Sequence, residues 1–151
     1  MATAAAPVSE PAACECEGCR AACETRPGFF RADEIEPLAH VLGLSVDEMV
    51  KRHLQFDYFE HHEIADGEEV RMLVPRLKGH VGGSRIPWWP TGRCHWFVDG
   101  KCAIHTKGKP AECRGLGHID GADVSADRVA IVRTWLDRQD WVRALMEKHL
   151  P

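Results

Sequence analysis

Apolar residues recur at helical spacing just after "PGFF" at residues 27–30. Ile35, Leu38, Ala39 and Leu42 fall on one face, and Gly43 stands where a helix of that phase should stop. "SVDE" then sets Ser45 three residues before Glu48, a capping box at a helix start, with Val46, Met49, Val50, His53 and Leu54 as the apolar face. Two short helices packed as a hairpin are predicted. "EVRMLVPRL" predicts a short strand ended by Pro75, whereas "KGHVGGSRIPWWPTGR" is loop by composition. In "CHWFVDGKCAIH" the Asp99-Gly100 pair between two apolar runs signals a β-hairpin, and "KGKPAECRG" turns again. From Ser125 onward Val129, Val132, Trp135, Leu136, Val142, Leu145 and Met146 outline an amphipathic helix of about six turns. The polar "DRQD" in its middle predicts a solvent-facing stretch or a kink. The pattern as a whole is mainly α with a small β-hairpin and a cysteine-rich loop region.

The 151 residues suit one domain behind a tail, and a hydrophobic fraction of 44% permits a modest core. Residues 1–13, rich in Ala and Pro, read as a disordered tail; residues 14–151 read as a single cysteine-cluster domain. The tail lacks the basic and apolar regions of a secretory signal, and no apolar run approaches the roughly 18 residues of a membrane helix. A cytoplasmic location without membrane attachment is expected. With a formal charge of −4 and no run of Lys or Arg beyond two, no footprint for nucleic acid is visible.

Seven cysteines change the picture, because they fall into two groups. Cys14, Cys16, Cys19 and Cys23 crowd ten positions near the N-terminus, while Cys94 and Cys102 flank the hairpin turn and Cys113 follows. In a reducing compartment, clustered cysteines bind metal or do redox work more often than they form disulfides, and an odd count leaves one over. The C-x2-C spacing of Cys16 and Cys19 lets a tight turn aim two sulfurs at one point. Any single cysteine here would serve equally as a small buried apolar residue. Four of them among Glu15, Glu17 and Arg20 make a poor core. A thioredoxin-like site needs a strand before its C-x2-C, and a Pro/Ala tail precedes this one. All seven are therefore candidate metal ligands.

"CEGCRAAC", "PGFFRADEIEPLAHVLGLSVDEMVKRHL" and "GRCHWFVDGKCAIHTKGKPAECRG" together resemble the YkgJ-type cysteine-cluster family, described as a zinc- or iron-chelating domain. Its hallmark is C-x2-C-x2-C-C near the N-terminus, followed by a cysteine, a turn, C-x-I-Tyr and a Lys/Arg-Pro-x-x-Cys-Arg ending. The resemblance covers most of residues 16–115 and implies a metal-binding domain. Ala22 occupies the third hallmark position, Cys14 is an extra thiol near it, and His105 stands where the family often has Tyr. His105, and His118 beyond Cys113, join the candidate ligands.

Zinc would take four tetrahedral ligands and an iron–sulfur cluster likewise four. The surplus of thiols, with Trp88, Trp89, Trp96 and Phe97 nearby to exclude solvent, favours an iron–sulfur cluster over zinc, although the same aromatics suit ordinary packing. If the hairpin turn has two residues, Val98 pairs with Lys101 and Cys94 comes opposite His105, with Cys102 on the other face beside Phe97 and His95. A loop one residue longer brings Cys94 and Cys102 to one face. In either case Cys102 and Cys113 are expected to converge with Cys16 and Cys19.

The remaining histidines carry no pattern. His61 and His62 in "FEHHE" are adjacent and point apart on a helix, so a solvated helix end is expected there. His40, His53, His80 and His149 have no partner in the sequence. Three functions follow: a metal- or cluster-binding protein with structural, carrier or redox use of the metal; a cluster-dependent group-transfer enzyme, since the flagellin lysine-methylating proteins carry a similar cluster; and a module that docks a protein partner through "PWWP" and the last helix. No catalytic residue and no substrate are indicated, because nucleotide, zincin and nucleophile-elbow motifs are absent.

Overall fold

Gly43 and Ser45 do what their positions predict. Helix α1 (Ile35–Leu42), entered through a 3-10 turn at Ala32–Glu34, stops where Gly43 adopts left-handed backbone (φ 73°). The Leu44 and Gly43 N–H groups then close on the carbonyls of Ala39 and His40 at 2.9 and 3.0 Å. The capping box forms in both directions, Glu48 N–H to Ser45 Oγ and Ser45 N–H to Glu48 Oε1, each 3.1 Å, and opens α2 (Val46–His53). The computed structural model describes residues 28–60, 69–86, 92–108, 110–116 and 125–150.

Beyond His53 the chain departs from expectation. Leu54 turns extended, and Leu54–Glu60 form strand β1, so Leu54 opens a strand instead of lining a helix. Phe59 and Glu60, read as part of a solvated helix end, close that strand; His61, His62 and Glu63 lie outside the described residues. The expected strand at "EVRMLVP" is β2 (Glu69–Pro75), antiparallel to β1 from Leu54↔Pro75 to Glu60↔Glu69. The aromatics of "LQFDYFE" suit a strand. Gln55 and Asp57 break its apolar pattern, yet both are buried: Gln55 is 0% exposed because every polar atom of its amide is bonded. Part of the glycine-rich loop also pairs with β1, through Phe56 N–H to Ser84 O (2.9 Å) and Ile86 N–H to Phe56 O (2.8 Å). Trp88 and Trp89 lie outside the described residues.

The hairpin forms with the shorter turn. Strands β3 (Phe97–Val98) and β4 (Lys101–Cys102) pair Val98 with Lys101 and Phe97 with Cys102. Asp99 (φ 52°) and Gly100 (φ 75°) are both left-handed, as a type I′ turn requires. The ladder runs one step further, Ala103 N–H to Trp96 O at 2.8 Å, and ends. His105 starts a short helix, α3 (His105–Gly108), and Cys94 pairs instead with Leu77. The expected Cys94–His105 pair is therefore not made. Helix α4 (Ala111–Leu116) follows.

The last element is broken rather than continuous. Helix α5 (Ser125–Arg133) and helix α6 (Gln139–His149) are separated by a 3-10 turn at Leu136–Arg138. Within "DRQD", Asp137 and Asp140 are exposed, whereas Gln139 is half-buried and hydrogen-bonded to the sheet. Its amide accepts from Arg71 N–H at 3.0 Å and donates to Arg71 O at 2.9 Å, which seats α6 on β2. One buried cluster runs through the described residues, with Phe30, Ile35, Leu38, Met49, Phe56, Leu73, Trp96, Ile104, Trp135 and Val142 among its members. The described fold thus contains the expected helices and small hairpin, plus a longer antiparallel ladder between them. No helix among the described residues is long and apolar enough to cross a membrane.

Candidate metal centre

Of the seven candidate ligands, Cys14, Cys16, Cys19 and Cys23 lie outside the described residues, as do Ala22 and His118. The other three occupy different elements. Cys94 is 7% exposed and sits in the main core, bridged to Leu77. Cys102 is half-buried on β4, opposite Phe97. Cys113 is 8% exposed and belongs to α4. Among the described residues, no three His, Cys, Asp or Glu side chains come together to hold a metal ion. A metal site built on these cysteines therefore needs donors from beyond the described residues.

The start of the described chain lies against Cys113. A Cβ built on Gly28 would fall 2.5 Å from Cys113 Sγ and 3.0 Å from its backbone N, so only a glycine fits without displacing the sulfur. The neighbouring residues fix this contact. Phe29 N–H donates to Glu112 Oε1 at 2.9 Å, and Glu112 N–H returns a bond to Phe29 O at 3.1 Å. Glu112, 4% exposed, also takes a hydrogen bond from Arg128 Nε, and the Arg128 guanidinium lies 5.1 Å from the centre of the Phe29 ring. Glu34 Oε1 accepts from Arg31 N–H (2.7 Å) and Ala111 N–H (3.1 Å) and so ties the turn before α1 to the start of α4. Cys23 precedes Gly28 by five residues, a span of at most about 18 Å.

A second polar cluster lies behind the hairpin, and nothing in the sequence pointed to it. His53 Nδ1 is 2.7 Å from His95 Nε2, and His95 Nδ1 is 2.6 Å from an Arg76 guanidinium nitrogen. The other terminal nitrogen of Arg76 donates to His80 O at 2.9 Å. Gln55 completes the group: its amide nitrogen donates to Ser84 Oγ (3.0 Å) and faces His80 Nδ1 (3.1 Å), while its oxygen accepts from Leu77 N–H (2.9 Å). The His53 ring stacks on Trp96 at 5.3 Å. Burial and the adjacent Arg76 charge push His95 down to about 4 and hold His53 below the usual histidine range. These rings are neutral and engaged with each other. The members are separated by up to 42 residues, and no spacing rule links them.

His149 is likewise committed, with Nε2 at 2.9 Å from an Asp47 oxygen beside the Lys148 contact at 2.8 Å. A shallow cleft of about 300 Å³ opens between α1 and α3, floored by Leu38 and Pro37 and rimmed by Arg31, Asp33, Glu34 and Lys107. Its rim carries both signs of charge, and none of the three described cysteines lines it. Comparison of the chain with protein-family models, with curated proteins and with solved structures gives no match.

Proposed function

We propose that this chain is a small cytoplasmic protein that holds an iron–sulfur cluster or zinc through cysteines of both groups, with structural, carrier or redox use of the metal. The observation that carries the reading is the contact of Gly28 with Cys113 Sγ. It brings the segment that follows the N-terminal cysteines to the thiol of Cys113, and the space there admits no side chain between them. The donor set fits a thiophilic centre. Thiolates suit zinc and iron–sulfur clusters, and Glu112, the nearest carboxylate in sequence, is already bonded to Arg128 and Phe29 N–H.

In this reading Cys16, Cys19 and Cys23, with Cys14 in place of the thiol missing at Ala22, supply the N-terminal donors, and Cys113 and Cys102 supply the others. Cys94, inside the core and bridged to Leu77, ranks last of the seven. Zinc would supply a structural staple; an iron–sulfur cluster would supply one-electron chemistry. Arg128, bonded to Glu112, the residue before Cys113, would offset part of the charge of a thiolate centre. Anaerobic purification from cells replete in iron and zinc, followed by metal analysis and an absorption spectrum, tests the reading. Stoichiometric metal that chelation removes with a fall in melting temperature is expected, because site binding energy is folding energy. A metal-free chain whose melting ignores chelators would overturn it.

A further inference from the structure

The contacts behind the hairpin have a direction. A guanidinium has donors only and keeps its charge, so Arg76 at 2.6 Å makes His95 Nδ1 an acceptor. A neutral imidazole has one donor and one acceptor nitrogen, so the His95 proton sits on Nε2. It is donated across 2.7 Å to His53 Nδ1, which leaves the His53 proton on its own Nε2. Arg76, His95 and His53 thus form a relay of one polarity, from the end of β2 through the 94–96 turn to the end of α2.

The backbone around this relay is joined at the same places. His95 N–H donates to Arg76 O at 2.7 Å, and Lys78 N–H donates to Arg93 O at 2.8 Å. These bonds, with the Leu77–Cys94 bridge, hold the base of the hairpin on the continuation of β2. Trp96 stacks on His53 from within the same turn and accepts Ala103 N–H, the last rung above Cys102. The two ends of the relay are also joined directly, Arg76 N–H donating to His53 O at 2.8 Å, while Arg76 further holds His80 O and His53 is the last residue of α2.

We infer that the Arg76–His95–His53 relay is a positioning latch that fixes the hairpin bearing Cys94 and Cys102 on the sheet, and that it works through its hydrogen-bond polarity. The latch goes beyond the metal-binding reading, since it acts with or without a bound ion. Its chemistry singles out one replacement. A glutamine carboxamide presents an acceptor and a donor about as far apart as the two imidazole nitrogens, so it can take the Arg76 bond on oxygen and give the His53 bond from nitrogen. A leucine fills the space and can do neither.

Hydrogen–deuterium exchange of the full chain, read peptide by peptide, tests the latch. In His95→Leu, exchange across residues 76–78 and 93–97 should rise by at least about tenfold, while the β1–β2 ladder keeps its wild-type protection. His95→Gln should stay within about threefold of wild type in both regions. If His95→Leu does not fold, His53→Phe serves instead, because it keeps a ring on Trp96 while removing the Nδ1 acceptor that receives the His95 bond. Wild-type exchange in the broken variant, equal acceleration in His95→Gln and His95→Leu, or a uniform rise over the whole chain would each overturn the inference.

Discussion

The two polar regions beside the cysteines are built on opposite plans. At the Gly28–Cys113 junction, one buried carboxylate, Glu112, is shared by a backbone N–H and an arginine, and the fit depends on an absent side chain. Behind the hairpin, neutral rings and one amide pass hydrogen bonds along a chain that starts at a single cation, Arg76, and contains no carboxylate. The first region is a charged clamp, and its strength lies in a desolvated ion pair that is costly to break from one side. The second resists protonation, because each acceptor nitrogen already faces a donor. The difference teaches that the two thiol-bearing halves should fail under different insults: the clamp on loss of a charge or of space, the relay on gain of a proton.

Four measurements press on that contrast. The largest effect belongs to the thiols themselves. Cys113→Ser and Cys19→Ser should each lose most bound metal in anaerobic metal analysis, and Cys14→Ser should lose it about as badly if Cys14 replaces the donor missing at Ala22. Full metal content in Cys14→Ser would make that residue a tail thiol. Next, Glu112→Ala strands both Arg128 and the Phe29 N–H and should cost about 1.5–3 kcal/mol in denaturant unfolding. Glu112→Gln, which still accepts a hydrogen bond, should cost less.

Gly28→Ala comes third. Its methyl would press on Cys113 Sγ and should cost about 1–3 kcal/mol, with faster metal loss to a chelator than in Gly43→Ala, where no atom lies within 4 Å of the added carbon. Equal metal loss in the two would separate Gly28 from the site. The smallest effect is the pH response of the relay. His95 titrates lower in the folded chain, about 4, than its ordinary 6.5, so its contribution is complete above about pH 6.5 and is lost as pH falls toward 4. Unfolding midpoints from pH 7 to 4 should therefore fall less in His95→Gln than in wild type. Parallel curves would remove His95 from the acid response.

How far the sequence discloses these regions depends on the range of the interactions. Ser45 and Glu48, Gly43, and Asp99-Gly100 act within a few residues, and the cap, the stop and the hairpin they signal all form, the turn taking the shorter of the two lengths the sequence allows. The strand at residues 69–75 was visible because Pro75 and the apolar run bound it. Strand β1 was hidden because Leu54 also completes the apolar face of α2 and "FEHHE" fits a helix end; the alternation from Leu54 to Tyr58 is itself a strand pattern, with Gln55 and Asp57 buried at its polar positions. The break after α5 was only hinted at, because its causes are distant. Thr134 Oγ1 bonds back to Ile131 O while accepting from Ala32 N–H, and Gln139 is drawn to Arg71. At the candidate site, sequence spacing singled out the cysteines as a class. The Glu112 clamp and the histidine relay join residues 16 to 83 apart in the chain, and only the folded chain brings them together.

The hydrogen bonds that seat residues 29–32 come from far along the chain. Glu112 reaches Phe29 across 83 residues, Thr134 reaches Ala32 across 102, and Trp135 Nε1 reaches Phe30 O across 105. On a ribosome adding about 5–20 residues per second, the last of these partners is made roughly 5–20 s after Phe30. During that interval the thiols before Gly28 have no folded wall to close against. The nascent N-terminal cysteines therefore meet the cell's thiols, oxidants and metal donors before the body of the protein exists, and in the proposed metal-binding reading any ion they take would be captured before Cys113 is in place.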